Sequence, residues 1–232
     1  MPECPGHGDA TLIDLPSYHY VPRPTRDLIR SWFRQAKPKV TRPGDSEPTL
    51  GEEHAARFQG FIYAWIAFNG WAMTVSDVDG DKASVDLVGS SPDLQSGFRV
   101  LLDRDEAFKA KAERFHALWP IFSDKDIRRS GVLGQMPPGL PRSDRIQIYL
   151  RYRYQDHRGR PVGIRHQPAC AEDHEPPERI PLDWAHALSA IYQVRCNLFH
   201  GYKGIDVSDD IEIVSSAYNV LYAAIRKQHL LS

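Results

Sequence analysis

The chain has 232 residues, 41% hydrophobic and 25% charged, an ordinary balance for one medium globular domain carrying an extension or insertion. A formal net charge of −1 excludes whole-chain attraction to nucleic acid or membrane, so any such partner has to be met by a local patch. Three cysteines (Cys4, Cys170, Cys196) cannot build a disulfide framework, no signal peptide or membrane-spanning apolar run is expected, and the protein reads as cytoplasmic.

Residues 1–52 are rich in proline and charge and read as an N-terminal arm that docks one short helix, TRDLIRSWFRQA (25–36). Leu28, Ile29, Trp32 and Phe33 recur there at helical spacing. The first strong element spans 52–76, where Phe58, Phe61, Ile62, Trp65, Phe68, Ala72 and Val75 follow the helical template and acids lead the first turn. Asn69 falls inside that stripe and needs a hydrogen-bond partner, either as an amide joining two helices or as a group beside an active site. Two or three helices are predicted over 77–124, with breaks near GSSP and LDRD and Ser91 placed to cap a helix beginning at Pro92. Phe108, Ala112, Phe115 and Trp119 form a further helical face.

From 125 to 182 the pattern changes. A stretch dense in glycine and proline leads to RIQIYLRYRYQ (145–155), whose two-residue alternation predicts a half-buried strand. DHRGR supplies a turn and PVGIRHQ a returning strand, so a small basic β-hairpin or loop insertion is expected. Arg142, Arg145, Arg151, Arg153, Arg158, Arg160 and Arg165 alternate with Tyr149, Tyr152 and Tyr154. Arginines that grip phosphates beside tyrosines that stack on bases would make an RNA-guiding surface, with Arg151, Arg153, Arg158 and Arg160 as its contacts. Arginines paired with Asp144 and Asp156 would make it a solvated hairpin instead. His166, Cys170 and His174, with Cys4 and His7, lack the firm spacing of a zinc site, and neither metal nor cofactor is expected.

Two helices close the chain, over 181–201 and 211–232. Advancing about 100° per residue from Trp184, the apolar residues Leu188, Ile191, Leu198 and Phe199 stay within roughly 60° of it. Arg195 lands at about 20°, where a leucine would be expected, and His200 at about 160°. A buried guanidinium needs a carboxylate, a carbonyl cluster or a water-filled cleft. Arg195 and His200 can meet if the last turn loosens before Gly201, or if a two-fold axis brings one subunit's His to the other's Arg. The negative end of the helix favours an imidazolium there. Such a pair can cleave a phosphodiester without metal: Arg holds the phosphate and stabilises its developing charge, while His moves protons. The plain alternative is a salt-bridged structural Arg195 and a His200 that only ends a helix.

The block IYQVRCNLFHGYKG (191–204), with the helix after it, resembles the HEPN superfamily, and FIYAWIAFNGWA (61–72) is similar to that family's first core helix. The resemblance covers roughly 53–124 and 181–232 of the chain. Arg195 to His200 is similar to the family's R-x4–6-H ribonuclease motif, and the following glycine sharpens the match. The resemblance implies an all-α HEPN-type helical bundle over 53–232, with the insertion at about 125–182, and a homodimer whose paired motifs line a shared cleft. It further implies a metal-independent endoribonuclease of toxin–antitoxin or phage-defence type, acting on RNA and leaving a 2′,3′-cyclic phosphate and a 5′-hydroxyl. Arg195 takes the phosphate role and His200 proton transfer, with Asn69, Asn197, Tyr202 and Lys203 in support. The family usually has a polar residue directly after its Arg; here Cys196 stands there and Asn197 follows. A second copy of the chain, RNA and a cognate antitoxin are the implied partners, and no membrane. A catalytically silent HEPN module that binds RNA or nucleotide, or scaffolds a partner, is the rival within the family, and an unrelated helical protein the rival outside it.

Overall fold

The computed structural model describes residues 18–38, 49–174, 180–201 and 208–231. Among them the architecture is mostly helical, with α1 (Arg23–Gln35), α2 (Leu50–Ser76), α3 (Asp81–Ser90), α4 (Pro92–Arg104) and α5 (Glu106–His116). These are followed by α6 (Asp124–Ser130), α7 (Arg142–Arg151), α8 (Trp184–Phe199) and α9 (Ser208–Lys227). Two small antiparallel ribbons pair β1 (Ile121–Phe122) with β4 (His166–Gln167), and β2 (Arg153–Gln155) with β3 (Pro161–Gly163). No helix among the described residues is long and apolar enough to cross a membrane.

α2 organises the bundle. It begins with a capping box in which Glu52 N donates to Thr49 Oγ1 (3.3 Å) and Thr49 N donates to Glu52 Oε2 (2.8 Å). Phe61, Trp65 and Phe68 are buried on its inner face, as their spacing predicts. It packs against α1, α3 and α9. Gly60 permits a close approach to α9, since a Cβ there would lie 3.0 Å from Cζ of Tyr218. The same tyrosine donates its hydroxyl to the Ala36 carbonyl (2.5 Å), tying the arm to the bundle. The arm helix buries Ile29, stacks Trp32 on Tyr63 and Phe33 on Tyr222, and leaves Leu28 outside. At α4, Ser91 occupies the expected cap position, but its hydroxyl makes no capping hydrogen bond. Phe108, Ala112 and Phe115 share a buried face of α5, whereas Trp119 lies beyond the helix end and packs edge-on against Phe115.

The insertion departs most from expectation. The strand predicted over 145–155 is helical through Arg151, and only Arg153–Gln155 are extended. The reason lies in a double pattern. Ile146, Tyr149 and Leu150 are also spaced i, i+3, i+4, and Asp144 sits in the first turn, so the segment satisfies a helix as well as a strand. Tyr149 joins Phe122, Ile127, Val132 and Ile164 in a second small core, with Tyr152 and Tyr154 packed against it. Tyr149 is buried and Tyr152 and Tyr154 are half-buried, so the three rings serve the insertion's own packing.

Candidate functional site

Asp81, the first residue of α3, accepts from Arg195 Nη2 at 2.6 Å and from Asn69 Nδ2 at 3.2 Å. One carboxylate thus ties α2, α3 and α8 together, and Asn69 acts as the amide that joins helices. The Arg195 guanidinium lies 5.0 Å from the Phe199 ring centroid and 5.9 Å from those of Trp65 and Tyr192. Such faces hold a cation in place. Arg195 is not in the deep core: its side chain is 22% exposed. The buried stripe of α8 runs through Trp184, Ala187, Leu188, Ala190, Ile191, Val194 and Asn197. That set is centred roughly 60° from Trp184 on the side away from Arg195. Arg195 is consequently an edge residue, and Phe199, expected inside, is 47% exposed beneath its guanidinium.

α8 ends as the glycine predicts. Gly201 takes φ +71° and donates its N–H to the Leu198 carbonyl (3.0 Å), a left-handed termination that a side chain would strain. His200 is the cap residue, with φ −90° and ψ 7°, outside ideal helix geometry, and it is exposed. It lines a cleft of about 620 Å³ together with Tyr192, Gln193, Cys196 and Asn197 of α8. Lys82, Lys125, Arg165 and His166 line the same cleft. Arg195 does not, although its Nη1 lies 4.0 Å from Sγ of the cleft residue Cys196. Burial, and after it the adjacent Cys196, pushes the Tyr192 phenol up to about 12, so it remains protonated.

Asn197 is buried, and both ends of its amide are engaged. Its Nδ2 donates to the Phe122 carbonyl (2.8 Å), and its Oδ1 accepts from Asp124 N (3.2 Å) and Gln193 Nε2 (3.0 Å). It fastens the insertion to α8. Asn197→Leu strands all three partners and is expected to cost about 2–3 kcal/mol in denaturant unfolding. A loss under half a kilocalorie, about the spread of ordinary surface changes, would refute this fastening role. Tyr202 and Lys203 lie outside the described residues, as do Cys4 and His7.

Most of the insertion's arginines have structural partners. Arg142, whose pKa burial pulls down, donates to the Leu118 carbonyl, and Arg145 pairs with Asp209 at 2.7 Å. Asp156 accepts from the Arg160 side chain and from the N–H groups of Arg158 and Arg160, chiefly the last, which holds its carboxyl at about 2. Arg153 donates to the carbonyls of Leu150 and Tyr152. Arg151 and Arg158 lie on the exposed side of the insertion, and neither they, Arg153 nor Arg160 line the cleft.

Arg165 grips the buried Asp126 through Nε (2.6 Å) and Nη2 (3.1 Å). Burial works to raise the Asp126 pKa, but the hydrogen bonds and charge of Arg165 win and hold it below the ordinary 3.8. A depressed folded-state pKa contributes stability that is complete above the unfolded value and lost as pH falls through the folded one. Melting temperature is therefore expected to drop as pH is lowered from about 5 to about 2, and Asp126→Asn to show a flatter profile. Parallel profiles would refute the assignment.

Sequence reading missed three features here: the Asp81 partner of Arg195, the cleft lysines, and a relay behind the cleft. In that relay Cys170 Sγ lies 3.3 Å from His186 Nε2, and His186 Nδ1 lies 2.8 Å from both Asp183 oxygens. Cys170 is only 3% exposed, so the relay ties the turn at Ala169–Asp173 to the start of α8. His166, like Cys170, is buried. Asp183 is also the cap of α8, its side chain accepting from His186 N (2.9 Å). No group of three potential metal ligands occurs among the described residues. Searches against protein-family models, curated proteins and solved structures find no match to this chain.

Proposed function

We propose that the chain is a HEPN-type, metal-independent endoribonuclease that acts as a homodimer, as a toxin or phage-defence effector. The observation that carries this reading is His200, exposed at the end of α8 on a cleft that Lys82, Lys125 and Arg165 also line. Among the described lining residues there is no carboxylate; Asp86 and Asp126, the partners of Lys82 and Arg165, stand outside that lining. In the reaction the 2′-hydroxyl loses its proton as its oxygen attacks phosphorus. The P–O5′ bond breaks, and the departing oxygen takes up a proton. A 2′,3′-cyclic phosphate and a 5′-hydroxyl result. His200 performs one of the two proton transfers, and the same residue of a second copy the other. Asp81 orients Arg195 through Nη2, and the guanidinium acts on the developing charge from behind the cleft wall, its Nη1 4.0 Å from Sγ of the lining residue Cys196.

The ion pair between Arg195 and Asp81 also favours a second reading, a silent module of the same fold that binds RNA without cutting it, because the carboxylate already neutralises the guanidinium. Purified protein incubated with total RNA in EDTA, wild type beside His200→Ala, separates the two. Cleavage by the wild type alone supports the nuclease, and binding without cleavage supports the silent module.

A further inference from the structure

We infer that Lys82, Lys125 and Arg165 form a phosphate track that seats a single RNA strand in the cleft beside His200. The inference rests on the reading that this cleft takes RNA, whether or not it cuts it. The cations come from separate elements: Lys82 from α3, Lys125 from α6, and Arg165 from the link between β3 and β4. None belongs to the Arg–His motif, and Arg195, held by Asp81, does not line the cleft. The insertion therefore supplies two of the three charges, which gives it a role beyond packing.

Each cation is available in its own way. Lys82 pairs with Asp86 across one helical turn, but both side chains are about half exposed, and such pairs are readily exchanged for another anion. Lys125 makes no ion pair among the described residues. Arg165 spends Nε and Nη2 on Asp126 while its side chain stays 70% exposed, which fixes the guanidinium and leaves Nη1 to a ligand. A bidentate anchor of this kind preorganises the third nitrogen. Beside it, His166 donates from Nδ1 to the Ile164 carbonyl (3.3 Å), and its buried Nε2 has no hydrogen-bond partner among the described residues. Three cations on three elements, with His200 on a fourth, line one cleft, and a chain of phosphates can engage several of them at once.

The test is fluorescence anisotropy with a short, labelled, single-stranded 2′-O-methyl oligoribonucleotide, which binds but cannot be cleaved. Wild type is compared with the double variant Lys82→Gln/Lys125→Gln, and Arg165 is left in place because Asp126 needs it. Affinity is expected to fall at least about tenfold at about 100 mM salt, and the slope of log K against log salt to decrease by about 1.4, for two lost phosphate contacts on single-stranded nucleic acid. Unchanged melting temperature shows that the variant folds; should it not, Lys125→Gln alone is expected to lower the slope by about 0.7. Equal affinity and slope would overturn the track. So would no binding by the wild type, or displacement of the probe by inorganic phosphate as effectively as by unlabelled strand. Because the probe has no free 2′-hydroxyl, its binding stands apart from cleavage: a protein that holds it through these lysines yet never cuts RNA keeps the track and loses only the nuclease reading.

Discussion

Replacing His200 with alanine is expected to lower RNA cleavage by about 10²–10⁴-fold, the usual contribution of one positioned acid–base group. The substitution is a clean probe because His200 is exposed and the helix end is made by Gly201, whose left-handed backbone and bond to the Leu198 carbonyl need no imidazole. Stability should therefore change by less than about 0.5 kcal/mol. Arg195→Ala is a poorer probe. It would leave Asp81 without its cation and disturb the link to Asn69, so lost activity would mix chemistry with structure. The readout is RNA fragments carrying 2′,3′-cyclic phosphate ends, formed in the presence of EDTA. If His200→Ala generates those fragments at the wild-type rate, His200 does not transfer the proton. In a homodimer with a shared cleft, mixing excess variant with wild type should also depress activity beyond simple dilution.

Trp184→Ala should produce the largest loss of stability, about 3–5 kcal/mol. For a chain of this size that corresponds to a melting temperature lower by roughly 6–20 °C. Trp184 is fully buried at the first turn of α8, with Phe68 of α2 and Phe98 of α4 at centroid distances of 6.1 and 5.7 Å. Its indole N–H donates to the Val88 carbonyl of α3 (3.1 Å). Truncation would open a cavity where four helices meet and leave the Val88 carbonyl only the longer bond from Ser91 N (3.4 Å). Trp184→Phe keeps a ring but loses the donor, and should recover more than half of the loss. A cost below about 1 kcal/mol for the alanine variant would mean that this junction is not packed as described. The site depends on the same junction, because α8 carries Tyr192, Cys196, Asn197 and His200 to the cleft.

Several elements were legible in the chain before any coordinates. The apolar period of α2, the Gly201 stop of α8 and the arm helix all follow from residues within a few positions of one another, where backbone geometry alone sets which side chains align. Periodicity also marked Arg195 as a charge that needs an answer. It could not supply Asp81, which lies 114 positions away and reaches Arg195 only when α3 packs against α8. Nor could it choose between strand and helix at 145–151, because Ile146, Ile148 and Leu150 keep a two-residue period while Ile146, Tyr149 and Leu150 keep a helical one, and the small core around Tyr149 decides. The cleft is wholly a tertiary property. Lys82, Lys125, Arg165 and His200 carry no shared spacing, and they converge because β1 pairs with β4 and Asn197 fastens that ribbon to α8. Local sequence determines which face of an element is apolar, whereas the group opposite a charge is set by long-range packing, which leaves no periodic trace.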